Sequence, residues 1–297
     1  MPLYSNEPAN LSGLEKDHPC DTAEKFLAYL NPQQSRWDWY EGRPAWIFRG
    51  QADAQWALRA TVFRDRSVLA SVGAQPKDDT AVSLREALHR MRADFRRDID
   101  EAGIVVPQVP SPPDGMFPGS GIPEFLERVD VPLAGLARHH SLPTELLDWS
   151  RHAHAAAYFA AEPRVLAPAA CRTWSSDRIA VWALNVSNGH AYGDRGRLRL
   201  HEAPGATNPN MRAQSGVFLV VRPDDNDPHG NSVDGFVAEE KKLGRSEPRL
   251  ILVTLEARHA PELLRRLAVE RVTGSTMFPG ADGVVRAMRE RALWDRR

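Results

Sequence analysis

Two short segments of this chain place charged or hydroxyl side chains at the end of apolar runs that can hold them rigidly. In the first, the apolar residues 45–48 are followed by Arg49, Gly50 and Gln51. This run predicts a short buried strand that ends at Arg49. A guanidinium held there could bind a phosphate or a carboxylate, and an internal ion pair with Asp148 is an equal alternative. Gly50 would allow another group to approach the backbone closely.

The second segment ends in Asp148, Trp149 and Ser150, directly before a helix predicted over residues 151–162. Ser150 is a natural N-cap for this helix, and Asp148 is one in another register. In a functional interpretation, the Ser150 hydroxyl faces the ribose of a ligand at the helix N-terminus, where amide dipoles favour anions. Trp149 is apolar enough to lie in the core.

Histidines near the second segment form the densest group of potential metal ligands, namely His139, His140, His152 and His154. Three of them, His139, His140 and His152, together with Asp148 allow a metal-dependent hydrolase as one alternative. Metal sites on a helix, however, place histidines four residues apart, whereas residues 152 and 154 face different ways on a helix. His139 could equally be a core histidine bonded to a backbone carbonyl.

The overall composition is that of an ordinary globular protein of 297 residues with a net charge of −1. This charge argues against a protein whose main task is to coat duplex DNA or an anionic membrane. The cysteines Cys20 and Cys171 are too few for a disulfide framework. The N-terminus lacks a basic and an apolar signal region, and no run reaches the roughly 20 apolar residues of a membrane span. We therefore expect a cytoplasmic protein with no membrane partner.

Apolar periodicity predicts helices over residues 21–30, 82–102, 260–269 and 281–294, and a further helix from Asp130 to about His139. Strands are predicted over residues 179–186, 217–221 and 250–255, the second of them opened by Gln214. Helices thus dominate the first half of the chain and strands the second. This order favours an α+β fold with a mixed or antiparallel central sheet flanked by helices.

The chain is predicted to divide into an N-terminal helical extension, residues 1–40, and one main domain, residues 41–297. In the extension, Asp21 is the predicted cap of the first helix, with Glu24 three residues further on. Residues 107–123 contain six prolines and are predicted to form a loop within the main domain. This loop is the best candidate for an internal linker or lid.

The first segment resembles the start of the FRG domain, a bacterial family named after the tripeptide at residues 48–50, with Trp56, Leu58 and Phe63-Arg64 following. The second segment agrees, because the family favours QHxGLPTRLLDWT followed by an ALYFA-like helix. Here residues 138–150 read RHHSLPTELLDWS and residues 157–160 read AYFA. Residues 213–218 and 277–283 also look like family segments. This chain departs from the family at Arg138 for Gln, Ser141 for Gly and Glu145 for Arg, and the last change reverses a charge.

The order of these segments is also similar to that of ADP-ribosyltransferases. In those enzymes an arginine binds the NAD phosphates, a Ser/Thr element positions the nicotinamide ribose, and a glutamate stabilises the oxocarbenium-like transition state. The similarity assigns the first role to Arg49 and the second to Ser150, and it places Gln214 near the third. Gln214 carries no negative charge, so either Glu239 or Glu240 serves in place of the glutamate, or transfer activity is weak or absent.

The resemblance implies an NAD-dependent ADP-ribosyltransferase or an NAD-glycohydrolase-like enzyme, acting as a toxin or in phage defence, with NAD as its cofactor. The acceptor, whether protein or nucleic acid, is not specified. The implied cofactor-binding residues are Arg49, Gly50, Gln51, His139, Thr144, Asp148 and Trp149, and the implied catalytic residues are Arg49, Ser150, Gln214 and Glu239.

Two alternatives remain open beside the metal-free enzyme. One is a non-catalytic FRG module that senses a nucleotide or a protein partner, and the other is the metal-dependent hydrolase described above. The lack of an unambiguous catalytic glutamate favours the binding module. The arginine of the buried strand, together with a polar helix N-terminus, favours a nucleotide-handling enzyme.

Overall fold

The computed structural model describes residues 8–40, 42–64, 67–104, 131–168, 173–187, 198–202, 208–221, 232–244 and 249–294. The loop predicted at residues 107–123 lies outside these ranges and stays a prediction. In the described part of the chain, no helix is both long and apolar enough to cross a membrane.

A seven-stranded sheet with the order β1-β9-β6-β4-β5-β8-β7 forms the centre of the molecule. Its strands are β1 (Lys16–Cys20), β4 (Trp46–Gln51), β5 (Leu146–Ser150), β6 (Arg178–Asn185), β7 (Leu198–Glu202), β8 (Gly216–Val221) and β9 (Leu250–Glu256). Strands β1 and β9 are parallel and the other neighbours are antiparallel. A separate two-stranded hairpin consists of β2 (Trp39–Tyr40) and β3 (Arg43–Pro44). The predicted α+β fold with a mixed central sheet is confirmed.

Helices cover both sides of this sheet. They are α1 (Ala23–Leu30), α2 (Thr61–Arg64), α3 (Ser67–Ala70), α4 (Ala81–Glu101), α5 (Val131–His139), α6 (Ala153–Leu166), α7 (Pro209–Ala213), α8 (Val233–Lys242), α9 (Ala260–Val269), α10 (Gly274–Met277) and α11 (Ala281–Trp294). One core lies between the sheet and α1, α6 and α9, and a second lies between the sheet and α2, α4 and α8. Because both faces are covered, central strands such as β6 are buried from Ile179 to Asn185.

The contact between β4 and β5, which we call the β4–β5 seam, is much weaker than the others in the sheet. These two strands share a single register pair, Phe48 with Ser150. On its other side, β4 pairs with β6 along its whole length, from Trp46 to Gln51. Beyond Phe48 the two strands of the seam therefore diverge, and the space between them can admit a side chain.

Several boundaries differ from the sequence-based expectation. The first helix is capped by Thr22, whose side chain accepts a hydrogen bond from the Lys25 N–H, and Asp21 instead pairs with the Lys25 ammonium. Ser150 is the last residue of strand β5, and His152 caps the helix that follows. The predictions of Asp21 and Ser150 as N-caps were therefore wrong.

The region predicted as an N-terminal extension contributes to the central sheet. Its strand β1 pairs with β9 over five residues, and its helix α1 packs in the first core through Phe26 and Leu30. The position of a domain boundary between residues 40 and 41 stays a prediction.

Candidate functional site

Arg49 lies on β4 at the point where the seam opens, and its side chain crosses the seam. Its Nη1 donates a hydrogen bond to the backbone carbonyl of Asp148 on β5, at 2.6 Å. The Asp148 carboxylate is further away, with 3.9 Å between Nη1 and Oδ2. Nε of Arg49 is buried and has no acceptor among the described residues. The nearest carboxylate oxygen thus lies at the outer limit of ion-pair distance, and it compensates the charge of this guanidinium only partly.

The carboxylate of Asp148 instead makes its close ion pair with Arg138 on α5. Both Nε and Nη2 of Arg138 donate to Oδ2 of Asp148, with Nε at 2.7 Å. The remaining Nη1 of Arg138 donates to the Thr61 hydroxyl at 3.0 Å. All three nitrogens of this guanidinium are thus engaged, which fixes its position between β5 and α2.

Arg64 on α2 completes the group. Its Nη2 donates to the same Thr61 hydroxyl at 3.2 Å, so two guanidiniums meet at one oxygen. We call Arg49, Arg64 and Arg138, gathered around Asp148, the arginine cluster. Positive charge exceeds negative charge in this cluster, because a single carboxylate faces the guanidiniums.

The electrostatics of the cluster reflect this excess. Burial lowers the pKa of Arg49 to about 9; the carboxylate of Asp148 opposes the lowering, and the charges of Arg138 and Arg64 add to it. Burial and the charge of Arg138 also lower the pKa of Arg64, although this residue stays exposed and solvent screens the repulsion. Each arginine is still protonated at neutral pH, so an added anion would relieve mutual repulsion.

Asp148 stays ionised at neutral pH. Burial works to raise its pKa, but the guanidiniums of Arg138 and Arg49 outweigh this effect and hold the pKa below its usual value. The side chain nevertheless keeps 44% of its surface exposed, compared with 15% for Arg49 and 20% for Arg138. The cluster is therefore open to solvent on the side of the carboxylate.

Gly50, predicted to bind a cofactor, is in contact with helix α6 instead. A Cβ at this position would lie 1.9 Å from the carbonyl oxygen of Ala156 and 2.7 Å from the backbone nitrogen of Ala160. The group that approaches this glycine so closely is thus the helix that carries the AYFA sequence, so the glycine is needed for packing.

Gln51, Trp149 and Thr144 also lie inside the protein. The Gln51 side chain accepts a hydrogen bond from the Trp182 indole at 2.7 Å and donates to the Ala57 carbonyl. Trp149 belongs to the second core. Thr144 has no exposed surface, and its hydroxyl has no partner among the described residues. None of the three side chains presents an exposed polar group to a ligand in this arrangement, and their cofactor-binding roles stay predictions.

Ser150 and Gln214 are brought together, but they contact each other through internal hydrogen bonds. The Ser150 hydroxyl donates to the Gln214 carbonyl oxygen at 2.7 Å and accepts from the His152 N–H at 2.9 Å. The Gln214 amide donates to the Met277 carbonyl at 2.9 Å. These bonds join the end of β5 to α7 and α10. Gln214 caps α7 and does not open β8, which begins at Gly216.

Glu239 lies away from this region on α8, where 46% of its side chain is exposed and its charge partner is Lys242 at 3.9 Å. No described contact connects it with Arg49, Ser150 or Gln214. The structure thus gathers Arg49 with Asp148, and Ser150 with Gln214, whereas it places Glu239 on a separate helix.

The histidines have separate local roles. His152 accepts the Ala155 N–H through Nδ1, and burial lowers its pKa, with the neighbouring His154 adding to the effect. Nδ1 of His154 lies 2.6 Å from the Glu270 carboxylate. The side chain of His139 lies outside the described residues, and His140 is exposed. Among the described side chains, no group of three or more His, Cys, Asp or Glu could hold a metal ion.

Glu145, where the charge departs from the family sequence, has a structural partner. Its Oε1 accepts a hydrogen bond from Nη1 of Arg92 on α4 at 2.6 Å, and both side chains are less than one-tenth exposed. This buried ion pair attaches the segment before β5 to helix α4.

Comparison with known proteins identifies the central part of the chain. Residues 44–166 match the family model of the FRG domain. This match confirms the predicted FRG resemblance for residues 44–166, and the matched segment contains the three arginines of the cluster together with Asp148. Comparisons with curated proteins and with solved structures found no match.

Sequence reasoning missed the roles of Thr61, Arg64 and Arg138. Arg64 was noticed only as part of a family segment, and Arg138 only as a departure from the family's glutamine. The single usable signal was that Arg64 and Arg138 are arginines close to family motifs, and Thr61 gave no signal at all. Their convergence on Asp148 depends on how α2 and α5 pack against the seam, which no spacing in the sequence reveals.

Proposed function

We propose that this FRG domain binds the phosphate groups of a nucleotide at the arginine cluster. The observation that carries the proposal is the state of Arg49, whose guanidinium has a buried Nε without an acceptor and no close carboxylate. Nε itself is closed to solvent, but a guanidinium whose charge is only partly compensated is costly to bury, and an anion bound at the exposed 15% of the Arg49 side chain would compensate that charge. Guanidiniums also match the geometry of phosphate oxygens better than ammonium groups do.

The ligand proposed within this class is NAD, which is the nucleotide that the resemblance implies. The net charge of the whole chain is only −1, so the chain as a whole does not attract anions, and the attraction proposed here is local to the cluster. A small anionic ligand therefore fits better than a long nucleic acid. Binding is the function that the geometry supports best, because the Ser150 hydroxyl and the Gln214 amide are both used in internal hydrogen bonds.

Cleavage of NAD, by hydrolysis or by transfer of ADP-ribose, is a second candidate function. The observation that favours it is the carboxylate of Asp148, which is ionised and half-exposed beside Arg49. A negative charge of this kind can stabilise an oxocarbenium-like transition state, the role that Gln214 cannot fill. Consumption of NAD would suit a toxin or a phage-defence effector.

Calorimetry with NAD and ADP-ribose tests the binding proposal. A charge-assisted contact contributes about 1.5–3 kcal/mol, so Arg49→Ala should weaken binding about 10- to 100-fold. The matched control is Arg97→Ala, because Arg97 is an exposed arginine of α4 paired with Asp94 and Asp98. Arg64→Ala is a second variant of the cluster that should also weaken binding, and because Arg64 is exposed, this change leaves the core undisturbed.

Two outcomes would overturn the binding proposal. One is the absence of binding by the wild-type protein, and the other is equal affinity for wild type and both cluster variants. Release of nicotinamide from NAD tests the second candidate separately. We expect Asp148→Asn to abolish release if cleavage occurs, and no release by the wild-type protein would leave a binding domain.

A further inference from the structure

The two carboxylate oxygens of Asp148 are placed differently. Oδ2 accepts both hydrogen bonds from Arg138. Among the described residues, none other than Asp148 itself, through its backbone N–H, donates further to this carboxylate, and the side chain retains 44% of its surface. One oxygen is therefore held in place, and the other is open to solvent within a group of guanidiniums.

A carboxylate in this position is a disadvantage for binding a simple anion. It repels phosphate, and when ionised it can only accept hydrogen bonds. A site for inorganic phosphate alone would bind more tightly without it. The arrangement is instead complementary to a ligand that carries hydroxyl donors next to its anionic groups.

We propose that Oδ1 of Asp148 accepts a hydrogen bond from a ribose hydroxyl of the ligand whose phosphates contact Arg49 and Arg64. Asp148 would then select nucleotides over inorganic phosphates. This inference rests on the proposed function and adds the part of the ligand that the carboxylate recognises. Oδ2 lies 3.9 Å from Nη1 of Arg49, so one sugar-phosphate unit can reach both groups.

Arg138 acts as a positioning residue in this arrangement. It holds Oδ2 through two nitrogens and is itself fixed by the Thr61 hydroxyl, so the free Oδ1 keeps one orientation. The resemblance had assigned the ribose to Ser150. That residue lies two positions further along β5, on the same face of the strand, but is only 4% exposed and its hydroxyl is engaged by Gln214. Asp148 is the open polar group on this face.

The experiment compares three ligands on the full-length protein by calorimetry: pyrophosphate, ADP and 2′,3′-dideoxy-ADP. On the wild-type protein, we expect the dideoxy compound to bind about tenfold more weakly than ADP, since a charge-assisted hydrogen bond is lost. In Asp148→Asn the two nucleotides should bind with nearly equal affinity. Pyrophosphate should bind this variant as tightly as the wild type or more tightly, because a repelling charge is gone.

If Asp148→Asn weakens the binding of ADP but not that of pyrophosphate, the change cannot come from a general loss of folding. The comparison of ADP with dideoxy-ADP uses the wild-type protein and so does not depend on any variant. Equal affinity of the wild type for ADP and dideoxy-ADP would overturn the inference. So would a parallel loss of ADP and pyrophosphate binding in Asp148→Asn. If pyrophosphate binds and Arg49→Ala removes it, the proposed function survives such a result. If none of the three ligands binds, the proposed function fails and the inference fails with it.

Discussion

Replacing Gly50 by alanine would place a methyl group inside the backbone of helix α6. The new Cβ would lie 1.9 Å from the Ala156 carbonyl oxygen, whereas real contacts of this kind stay above roughly 3 Å. The helix and strand β4 would have to separate by about 1 Å. The surface of α6 consists of alanines here, and Ala155, Ala156, Ala157 and Ala160 are at most 1% exposed. No long side chain is present that could move aside.

Overpacking in a core usually costs about 1–3 kcal/mol. Since the collision at Gly50 is with backbone atoms, we expect a loss near the top of this range, about 3 kcal/mol. The matched control is Gly135→Ala in helix α5. There the nearest atoms belong to the movable ring of Phe218, at 3.1 Å, and alanine gains about 1 kcal/mol of helix propensity. The control should therefore change the free energy of unfolding by less than about 1 kcal/mol.

Urea unfolding followed by tryptophan fluorescence measures both variants, because the chain contains eight tryptophans. If Gly50→Ala unfolds at the same urea concentration as the wild type, helix α6 does not lie against β4 as described. Packing would then be the wrong explanation for Gly50, and the alternative that a ligand approaches the backbone at this glycine would remain.

Three further changes test other parts of the structure. Arg92→Met should cost about 3 kcal/mol because it leaves Glu145 buried without its partner, and adding Glu145→Met should restore most of the stability in the same urea assay. The folded state lowers the pKa of His152 from 6.5, so the unfolded chain binds a proton more readily and the melting temperature of the wild type should fall as the pH falls through 6.5. The melting temperature of His152→Asn should fall less, and equal decreases would contradict the capping role. Ser141 has a φ of 67°, so Ser141→Gly should raise the free energy of unfolding by about 1 kcal/mol, and a decrease would show that the hydroxyl matters more than backbone strain.

The elements with strong local signals could be predicted from the sequence. Helices α9 and α11 begin and end at the predicted residues. Strands β6, β8 and β9 agree with their predicted ranges within one residue at each end. In these elements apolar periodicity and chain breakers act together, so local preference and tertiary packing agree.

The elements that depend on pairing were missed. Strand β1 has the sequence KDHPC, which shows no apolar alternation, and it is a strand because it pairs with β9. Strand β5 was not predicted, because Asp148 and Ser150 are common caps and were interpreted as caps of the helix that follows. Its five residues pair with β8, and this tertiary contact overrides the local preference.

The candidate site shows the same division. The alternatives for Arg49, an anion site or an ion pair with Asp148, both followed from the type and position of the residue. The structure combines them, because Arg49 bonds the backbone of Asp148 while Arg138 takes the carboxylate. The sequence could not show that Arg138 would neutralise Asp148 and leave Arg49 less paired. Such a competition is decided by angstrom-scale distances between elements far apart in the chain.

The β4–β5 seam has a consequence for which part of this chain can be produced as an independent module. The seam divides the sheet into one half with β1, β9, β6 and β4, and another with β5, β8 and β7. The segment that matches the FRG family, residues 44–166, contains one strand from each half and the helix against Gly50. Expressed alone, it would leave β4 without β6 and β5 without β8, with most of their hydrogen-bonding edges open. The segment that matches the family thus covers the junction of two half-sheets. A fragment that folds independently would have to include strands from nearly the whole chain.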